Sequence, residues 1–397
     1  MCSLIVAVLA LPLALATVAS ELFSPLVARK VLATAKMPPI PIQYPQYTDT
    51  TTGNWLWFNS DAWATGFFPA TLYEMHRRQK LCGHKHGVGG VDWLKLGRTW
   101  STGEIPSERT IGASHDVGFP FIEELKINPR NETARTAVKI FATALAKRFN
   151  AMVGCTRNED SPDPNFQVSI DYMMDLEVLF VAEKITGNHT LRDIAIKHAD
   201  TTMANHIRPD GSTWHVIEYD SNTGSVTKKR TAQGFSDDRH RISDTWSRGQ
   251  AWGIYGYANM HLRTNFPRYL KTARRLATYF VFNIPSDGIV PWDFNVPAIP
   301  ARPADSSAAT IAVNALLLLS QRESTIGNST GARFWQKSAL SILRDITNLA
   351  WRPEWESLLS NGTMHLPANN KLTGIVYGDH YFIRAGNELK ELGLTSC

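Results

Sequence analysis

Apolar side chains recur at helical spacing through most of the chain, and convincing pairs of strands are few. Segment 133–150 is the clearest case, because its apolar residues fall three and four positions apart on one stripe. Links of a few residues between such segments are typical of helical hairpins. The same pattern predicts further helices over 61–80, 171–188, 191–207, 250–265, 269–283, 308–324 and 332–350.

One segment, 206–230, has a different pattern. Around Trp214, Val216 and Tyr219 the residues alternate between apolar and polar, and Asp-Gly and Thr-Gly turns lie nearby. This alternation predicts a short β-hairpin or a long loop within a helical protein.

The fold class follows from the number of hairpins and from how they are joined. The hairpins recur roughly every 50 to 60 residues, without an internal sequence repeat. No linker rich in Pro, Gly and Ser interrupts the chain after about residue 55. We therefore expect an all-α protein in which six hairpins close into a single (α/α)6 barrel over residues 21–397. An open helical superhelix is the alternative, but it calls for a stronger repeat.

The composition is that of a globular protein, with 43% hydrophobic and 19% charged residues. The formal net charge of +5 comes without a long run of Lys and Arg, which argues against a nucleic-acid partner. Twelve tryptophans is a high number for one chain. Indole rings stack on sugar faces in carbohydrate-binding clefts, although a large helical core would also bury many of them.

The first twenty residues carry no charged side chain and are rich in Leu, Val and Ala. This apolar run is too short and too interrupted by proline for a membrane span, and it ends in small residues that suit cleavage. We therefore expect residues 1–20 to be a signal peptide and the protein to be secreted. Four sequons would then be acceptors of N-linked glycans, at Asn131, Asn188, Asn328 and Asn361.

Three cysteines remain after the leader, namely Cys82, Cys155 and Cys397. An odd number indicates one disulfide and one free thiol, and we favour a Cys82–Cys155 pair. The run CGHKH at 82–86 could hold a metal ion. No second cluster of Cys and His completes four ligands, so a polar loop between helices is the better interpretation.

Two aspartates stand out by their surroundings. Asp116 lies between small and aromatic residues in GASHDVGFPF, and Asp171 lies in the apolar stretch FQVSIDYMMDLEVLF. A helix start alone would explain Asp171, because the helix dipole favours an acidic first turn. Asp175 follows one turn later, and two carboxylates on one face are costly unless that face borders a polar cavity. A second carboxylate nearby raises the pKa of a carboxylic acid, which suits a general acid.

Further side chains could complete a site. His115 precedes Asp116, and His215 lies in the predicted hairpin, although each alone is more typical of a structural histidine. In SDTWSRGQAWGIYG, Arg248 and Trp252 are four apart and share a helix face, as a pocket for an anionic, flat molecule requires. Signatures of a serine nucleophile, a phosphate loop, a zinc site or a dinucleotide site are not found. The possibility that remains is a reaction catalysed by carboxylates without a cofactor.

Taken together, these motifs resemble a known family, the unsaturated glucuronyl hydrolases of glycoside hydrolase family 88. The resemblance covers roughly residues 55 to 385. It is specific because eight blocks occur in the family's order: WATGFFPATLY, SHDVGFPF, IDYMMDLEVLFVAEKITGN, HADTTMANHIRPDGSTWHVIEYD, TAQGFSDD, TWSRGQAWGIYGYA, VPWDFNVPAIPARPADSSAATIA and IVYGDHYF.

The resemblance implies an (α/α)6 barrel that uses no metal and no cofactor. It implies as substrate an oligosaccharide with a 4,5-unsaturated uronic acid at its non-reducing end, the product of a polysaccharide lyase. The implied reaction hydrates the vinyl ether instead of displacing at the anomeric carbon. By matching positions, Asp171 protonates carbon 4 and activates the water that adds at carbon 5. Asp116 is the second carboxylate, which positions the sugar hydroxyls.

The same matching implies how the sugar is bound. Arg248 is expected to offer its planar guanidinium to the uronate carboxylate or to a sugar oxygen. Relatives commonly have Asn at the position of Asp175, so a third carboxylate is expected near the acid. The other expected contacts with the substrate are Trp63, His115, His215, Thr231, Gln233, Trp246 and Trp252.

Two other functions stay open on the sequence alone. A secreted glycan-binding or inactive barrel would hold sugar without turnover, and Asp175 in place of Asn is its best support. A glycosidase that acts on saturated uronides is the other. In all three interpretations the expected partner is a small oligosaccharide, with neither nucleic acid nor a membrane.

Overall fold

The computed structural model of the protein describes residues 19–87, 89–105, 119–158, 165–235, 244–297 and 302–397. In these ranges, successive α-helices alternate between an outer and an inner ring. The outer ring consists of α1 (Pro25–Ala35), α3 (Trp93–Thr102), α5 (Glu132–Lys147), α7 (His189–Asn205), α9 (Pro267–Phe282) and α11 (Ser329–Ala350). The inner ring consists of α2 (Phe67–Cys82), α4 (Phe119–Ile127), α6 (Leu176–Thr186), α8 (Ser247–Thr264), α10 (Ser306–Thr325) and α12 (Val376–Glu391).

The inner ring is closed. Each inner helix contacts the next one along the chain, and α12 returns to pack against α2. This closure confirms the predicted (α/α)6 barrel and excludes the open superhelix. Because each hairpin reverses the chain, the inner helices run parallel and begin at the same end of the barrel.

Burial distinguishes the two rings. The inner helix α10 is buried on every side, from Ser306 through Ser320 with few exceptions. The outer helix α11 buries one stripe, which includes Trp335, Ile342 and Ile346. A helix that is apolar all round belongs inside a large protein, whereas a single stripe covers a core from outside.

Two of the predicted helices begin later than the apolar pattern indicates. The segment predicted as helix from residue 171 starts as a 3₁₀ helix, Ile170–Met173, and α6 begins only at Leu176. The helix predicted from residue 61 begins at Phe67, after a turn of apolar residues that continues the periodic pattern upstream.

Strands occupy the loops that join the helices. The predicted hairpin is confirmed as β6 and β7, and β5 pairs with β6 to make an antiparallel sheet. Two shorter pairs are β1 with β2 and β3 with β4. The strands are β1 (Tyr44–Thr48), β2 (Trp55–Phe58), β3 (Phe149–Asn150), β4 (Cys155–Thr156), β5 (Asn165–Ser169), β6 (Val216–Asp220) and β7 (Val226–Arg230).

The predicted cysteine pairing is wrong. Cys82 bonds to Cys397, so the disulfide ties the C-terminal residue to the end of α2. Cys155 is a buried free thiol at β4, and burial raises its pKa to about 12. With Cys82 in a disulfide, the run CGHKH has no free thiol to offer a metal ion.

Among the described residues, no group of three or more His, Cys, Asp and Glu side chains is arranged to hold a metal. Among the helices of the same residues, none combines the length and the apolar character needed to cross a membrane. The predicted leader, residues 1–20, lies almost wholly outside the described part of the chain.

Candidate active site

A cavity of about 500 Å³ lies where the inner helices begin. Its walls come from the residues just before α2, α6 and α12 and from the first turns of α8. Seven residues predicted from the sequence line this cavity together: Trp63, Asp171, His215, Gln233, Trp246, Arg248 and Trp252.

The remaining three predicted residues are placed differently. Thr231 is fully buried behind the cavity wall, where its hydroxyl donates to the carbonyl of Asp244 at 3.1 Å. The second carboxylate predicted, Asp116, and its neighbour His115 lie outside the described residues.

The sheet brings Asp171 and His215 together. In the register of β5 with β6, Ser169 is opposite Val216, and the Ile170 amide donates to the carbonyl of His215 at 2.9 Å. Asp171 follows the end of β5 by two residues, and it therefore lies beside His215, the residue just before β6. Both side chains reach the cavity at the same level.

The Asp171 carboxylate is held by two polar side chains. Its Oδ2 accepts a hydrogen bond from the Ser169 hydroxyl at 2.7 Å and lies 3.2 Å from Nε2 of His215. The residue is 6% exposed, and among the described residues it is the only carboxylate that lines this cavity. A carboxyl group of fixed orientation, within reach of a bound molecule, can act in proton transfer to that molecule.

Aromatic rings form the walls around Asp171. The Trp246 indole packs on His215, with ring centroids 4.5 Å apart. Trp252 packs edge-on against Tyr381 at 5.6 Å, and Trp63 packs against Tyr377 at 5.3 Å. These contacts fix the indoles in place, so that their exposed edges and faces give the cavity an apolar, flat lining.

Arg248 is engaged by the protein itself. Its Nη1 donates to Asp305 Oδ2 at 2.6 Å and to the Thr363 carbonyl at 2.7 Å, while Nη2 donates to the Met364 carbonyl at 2.8 Å. The guanidinium also lies 4.5 Å from the Trp246 ring. Arg248 thus joins the start of α8 to the start of α10 and to the loop before α12, as well as lining the cavity.

A buried carboxylate fixes the rim beside Gln233 and Trp246. Asp293 accepts backbone N–H groups from Phe235 at 3.3 Å, Thr245 at 3.2 Å and Asn295 at 2.8 Å. Burial raises the pKa of Asp293 to about 6. At neutral pH the ionised form therefore holds the rim segments that flank the cavity.

Asp175 does not share the cavity with Asp171, contrary to the prediction from helical spacing. It lines a second cavity of about 290 Å³ on the barrel axis, which all six inner helices enclose. In an α-helix two residues four apart differ by about 40° of rotation, whereas in a 3₁₀ helix they differ by about 120°. The 3₁₀ turn at Ile170–Met173 therefore turns Asp175 away from Asp171.

One side of the cavity was not predicted from the sequence. The loop before α12 contributes Met364, His365, Ala368 and Asn370, and no periodic pattern or motif distinguishes this loop in the sequence. Asn158 and Ser169 were also missed. For Ser169 a signal exists, because a serine that ends a strand two residues before an aspartate can reach that carboxylate.

No protein-family model matches the chain. An unsaturated glucuronyl hydrolase of Formosa agariphila is 36% identical over 339 residues, which are 82% of this chain and 79% of that protein. The chain belongs to the unsaturated glucuronyl hydrolase family. It is therefore a glycoside hydrolase, as the sequence motifs indicated.

Further members of the unsaturated glucuronyl hydrolase family agree with this assignment. The enzyme of Bacillus sp. strain GL1 is 31% identical, over 71% of this chain and 75% of its own. A crystal structure of an unsaturated glucuronyl hydrolase specific for heparin superposes with a TM-score of 0.82 at 26% identity, and covers 95% of this chain and 97% of that one. The barrel of this protein thus matches that structure over nearly the whole of both chains.

Proposed function

We propose that the protein hydrolyses oligosaccharides that carry a 4,5-unsaturated uronic acid at the non-reducing end. The observation that carries this proposal is the carboxylate of Asp171, held by Ser169 and His215 in an aromatic-walled cavity. Membership of the unsaturated glucuronyl hydrolase family supports the substrate class, because the relatives are named for it.

The reaction we propose is a hydration. Asp171 gives its proton to carbon 4 of the ring, and a water molecule adds its oxygen to carbon 5 while Asp171 takes back a proton. The hemiketal formed at carbon 5 opens to a ketone, which frees the aldehyde at carbon 1 and releases the leaving sugar with its own hydroxyl. One water molecule is consumed, and the carboxyl group returns to its first state.

The position of the cavity suits an anionic ring. Helix N-termini carry partial positive charge, and the inner helices α2, α6, α8 and α12 begin around this cavity. A uronate carboxylate bound there is stabilised by those dipoles. The indoles of Trp63, Trp246 and Trp252 supply flat apolar surfaces for the unsaturated ring, which has lost a hydroxyl and is partly planar.

Two polar partners of Asp171 act on the same carboxylate oxygen in this proposal. Ser169 and His215 both approach Oδ2. With both hydrogen bonds directed at that oxygen, the acidic proton belongs on Oδ1. The hydrogen bonds thereby fix which oxygen delivers the proton to carbon 4.

Other assignments from the family resemblance extend the proposal. Asp116 acts as the second carboxylate, which positions the sugar hydroxyls, and Arg248 and Gln233 bind the sugar. We also propose that residues 1–20 direct secretion and that residues 21–397 form one catalytic domain.

The test is a panel of lyase-made disaccharides from chondroitin, hyaluronan, heparin, gellan, xanthan and ulvan. Turnover removes the vinyl ether, so the ultraviolet absorbance of the conjugated acid falls with time. We expect at least one disaccharide to lose its absorbance in proportion to enzyme. Binding of every disaccharide without such a loss would favour a glycan-binding barrel, and release of uronic acid from a saturated glucuronide would favour a conventional glycosidase.

A further inference from the structure

The four sequons lie in unlike surroundings in the fold. Asn131 caps the N-terminus of α5, Asn188 that of α7 and Asn328 that of α11. Asn361 lies in the loop before α12 with a left-handed backbone, φ 57°. An N-linked glycan is carried on the Nδ2 atom of asparagine, so the contacts of that atom decide at which sequon a glycan is compatible with the native fold.

At two sequons, Nδ2 donates a hydrogen bond to a buried carboxylate. Nδ2 of Asn131 donates to Glu124 Oε1 at 2.8 Å, and the Glu124 side chain is 3% exposed. Nδ2 of Asn328 donates to Glu323 Oε2 at 2.8 Å, and that side chain is 1% exposed. A sugar replaces one of the two hydrogens on Nδ2, and on either of these nitrogens it would have to lie against a buried carboxylate, where there is no room for it.

At Asn361 the same atom is also engaged. Its Nδ2 donates to the Leu349 carbonyl at 3.3 Å and to the Ser360 hydroxyl at 3.1 Å. The adjoining Thr363 is fully buried, with its hydroxyl donating to the Ala304 carbonyl at 2.7 Å. This sequon is therefore built into the protein interior beside the barrel.

Asn188 is the exception. It lies in the turn between α6 and α7, where every residue from Thr186 to Thr190 is exposed. Its Oδ1 accepts the Thr190 amide at 3.1 Å and caps α7, whereas its Nδ2 makes no hydrogen bond to a residue that the structure describes. A substituent on Nδ2 would point into solvent and leave the cap intact.

We propose that Asn188 is the N-glycosylation site of the folded protein, and that the other three sequons stay unmodified in secreted, active molecules. The proposal rests on entry into the secretory pathway, which is part of the proposed function. The donor is a lipid-linked oligosaccharide of that pathway. A bond forms between Nδ2 and the anomeric carbon, the bond from that carbon to the lipid pyrophosphate breaks, and Nδ2 loses one proton.

The experiment is secretion of the full chain from a eukaryotic host, once with its own leader and once with a host signal ahead of Met1. The secreted protein is treated with an enzyme that removes N-linked glycans and is mapped by peptide mass. We expect one glycan, at Asn188. Thr190→Ala removes the sequon but keeps the Asn188 cap, so it should abolish the mass shift and leave the thermal midpoint unchanged.

Asn131→Gln and Asn328→Gln are the matched controls. They should keep the glycan and lower the thermal midpoint by about 1–2 °C each, because they remove a helix cap. A glycan at Asn131, Asn328 or Asn361 in active protein, or no glycan with the host signal, would overturn the proposal. A glycan with the host signal but no secretion with the native leader would contradict only the proposed signal peptide.

Discussion

The two ends of the inner ring differ in what their polar side chains do. At the end where the helices begin, Asp171 faces a cavity of about 500 Å³ beside indole rings. Toward the other end, a cavity of about 290 Å³ is lined by apolar residues and by several charged ones, among which ion pairs form. There Arg384 lies 3.5 Å from Glu123, and Arg263 forms an ion pair with Glu177.

The ion pairs make the second cavity poorly suited to proton transfer. Although burial alone would raise the pKa of Glu123, Lys126 and Arg384 hold that pKa below its usual value. A carboxylate held ionised by two cations is a poor proton donor at neutral pH. Trp252 and Tyr381, with ring centroids 5.6 Å apart, lie between the two cavities. The same helices thus separate the end where Asp171 faces an aromatic-walled cavity from the end where Glu123 and Glu177 are held in ion pairs.

The largest effect on stability is expected from Arg248, which serves both the cavity and the fold. Arg248→Met leaves Asp305 buried and without its ion pair, because neither residue is more than 3% exposed. We expect the free energy of unfolding to fall by about 3–5 kcal/mol, measured by urea denaturation. Arg263→Met at the other end is the control, since its pair with Glu177 is partly exposed and is worth about 0–1 kcal/mol. Equal losses in the two variants would contradict the difference between the ends.

The disulfide offers a test of the end opposite Asp171. Cys82 ends α2, and its bond to Cys397 closes a span of 315 residues. The double variant Cys82→Ser/Cys397→Ser should lose about 2–4 kcal/mol of unfolding free energy, because the unfolded chain gains freedom. Its rate of vinyl-ether loss under native conditions should equal that of the wild type. A slower rate with unchanged fold would show that the two ends are coupled.

A smaller effect, dependent on pH, is expected from His198 on the outer helix α7. Its Nδ1 accepts the Thr156 amide at 3.2 Å, and burial lowers its pKa to about 3. The unfolded chain takes up a proton on this residue below about pH 6.5, whereas the folded protein does not until about pH 3. The stability that neutral His198 gives above pH 6.5 is therefore lost as pH falls through this window.

His198→Asn keeps an acceptor for Thr156 but does not titrate. As pH falls from 6 to 4, the wild type should lose unfolding free energy relative to the variant. The expected loss is about 1.4 kcal/mol for each pH unit. Denaturation curves at several pH values measure this. Parallel curves for the two proteins would show that His198 is protonated in the fold.

The spacing of apolar residues predicted most helices, because this spacing reflects which face of a helix is buried. The amphipathic outer helices α5, α9 and α11 and the apolar inner helix α10 were found close to their observed bounds. The inner helix α12 has no clean pattern, because it buries polar residues such as Asp379, His380 and Asn387 alongside its apolar ones. Contacts between distant segments satisfy those groups, and local sequence does not reveal such contacts.

The lining residues of the cavity were predicted where they belong to the sequence motifs of the family. They were missed where segments distant in sequence meet. Arg248 and Trp252 share a helix face, as their spacing of four indicates. Asp175 was placed wrongly, because the pattern does not distinguish a 3₁₀ turn from an α-helical one. The Cys82–Cys397 bond was missed for a related reason, since ring closure brings the last residue to α2.

The most direct test compares Asp171→Asn with Asp175→Asn in the rate of vinyl-ether absorbance loss. The two residues are four apart in sequence but line different cavities. The account predicts that Asp171→Asn lowers kcat at least about a hundredfold while substrate still binds, and that Asp175→Asn changes kcat less than about threefold. Retained turnover in Asp171→Asn, or an equal loss in both variants with both folded, would contradict it.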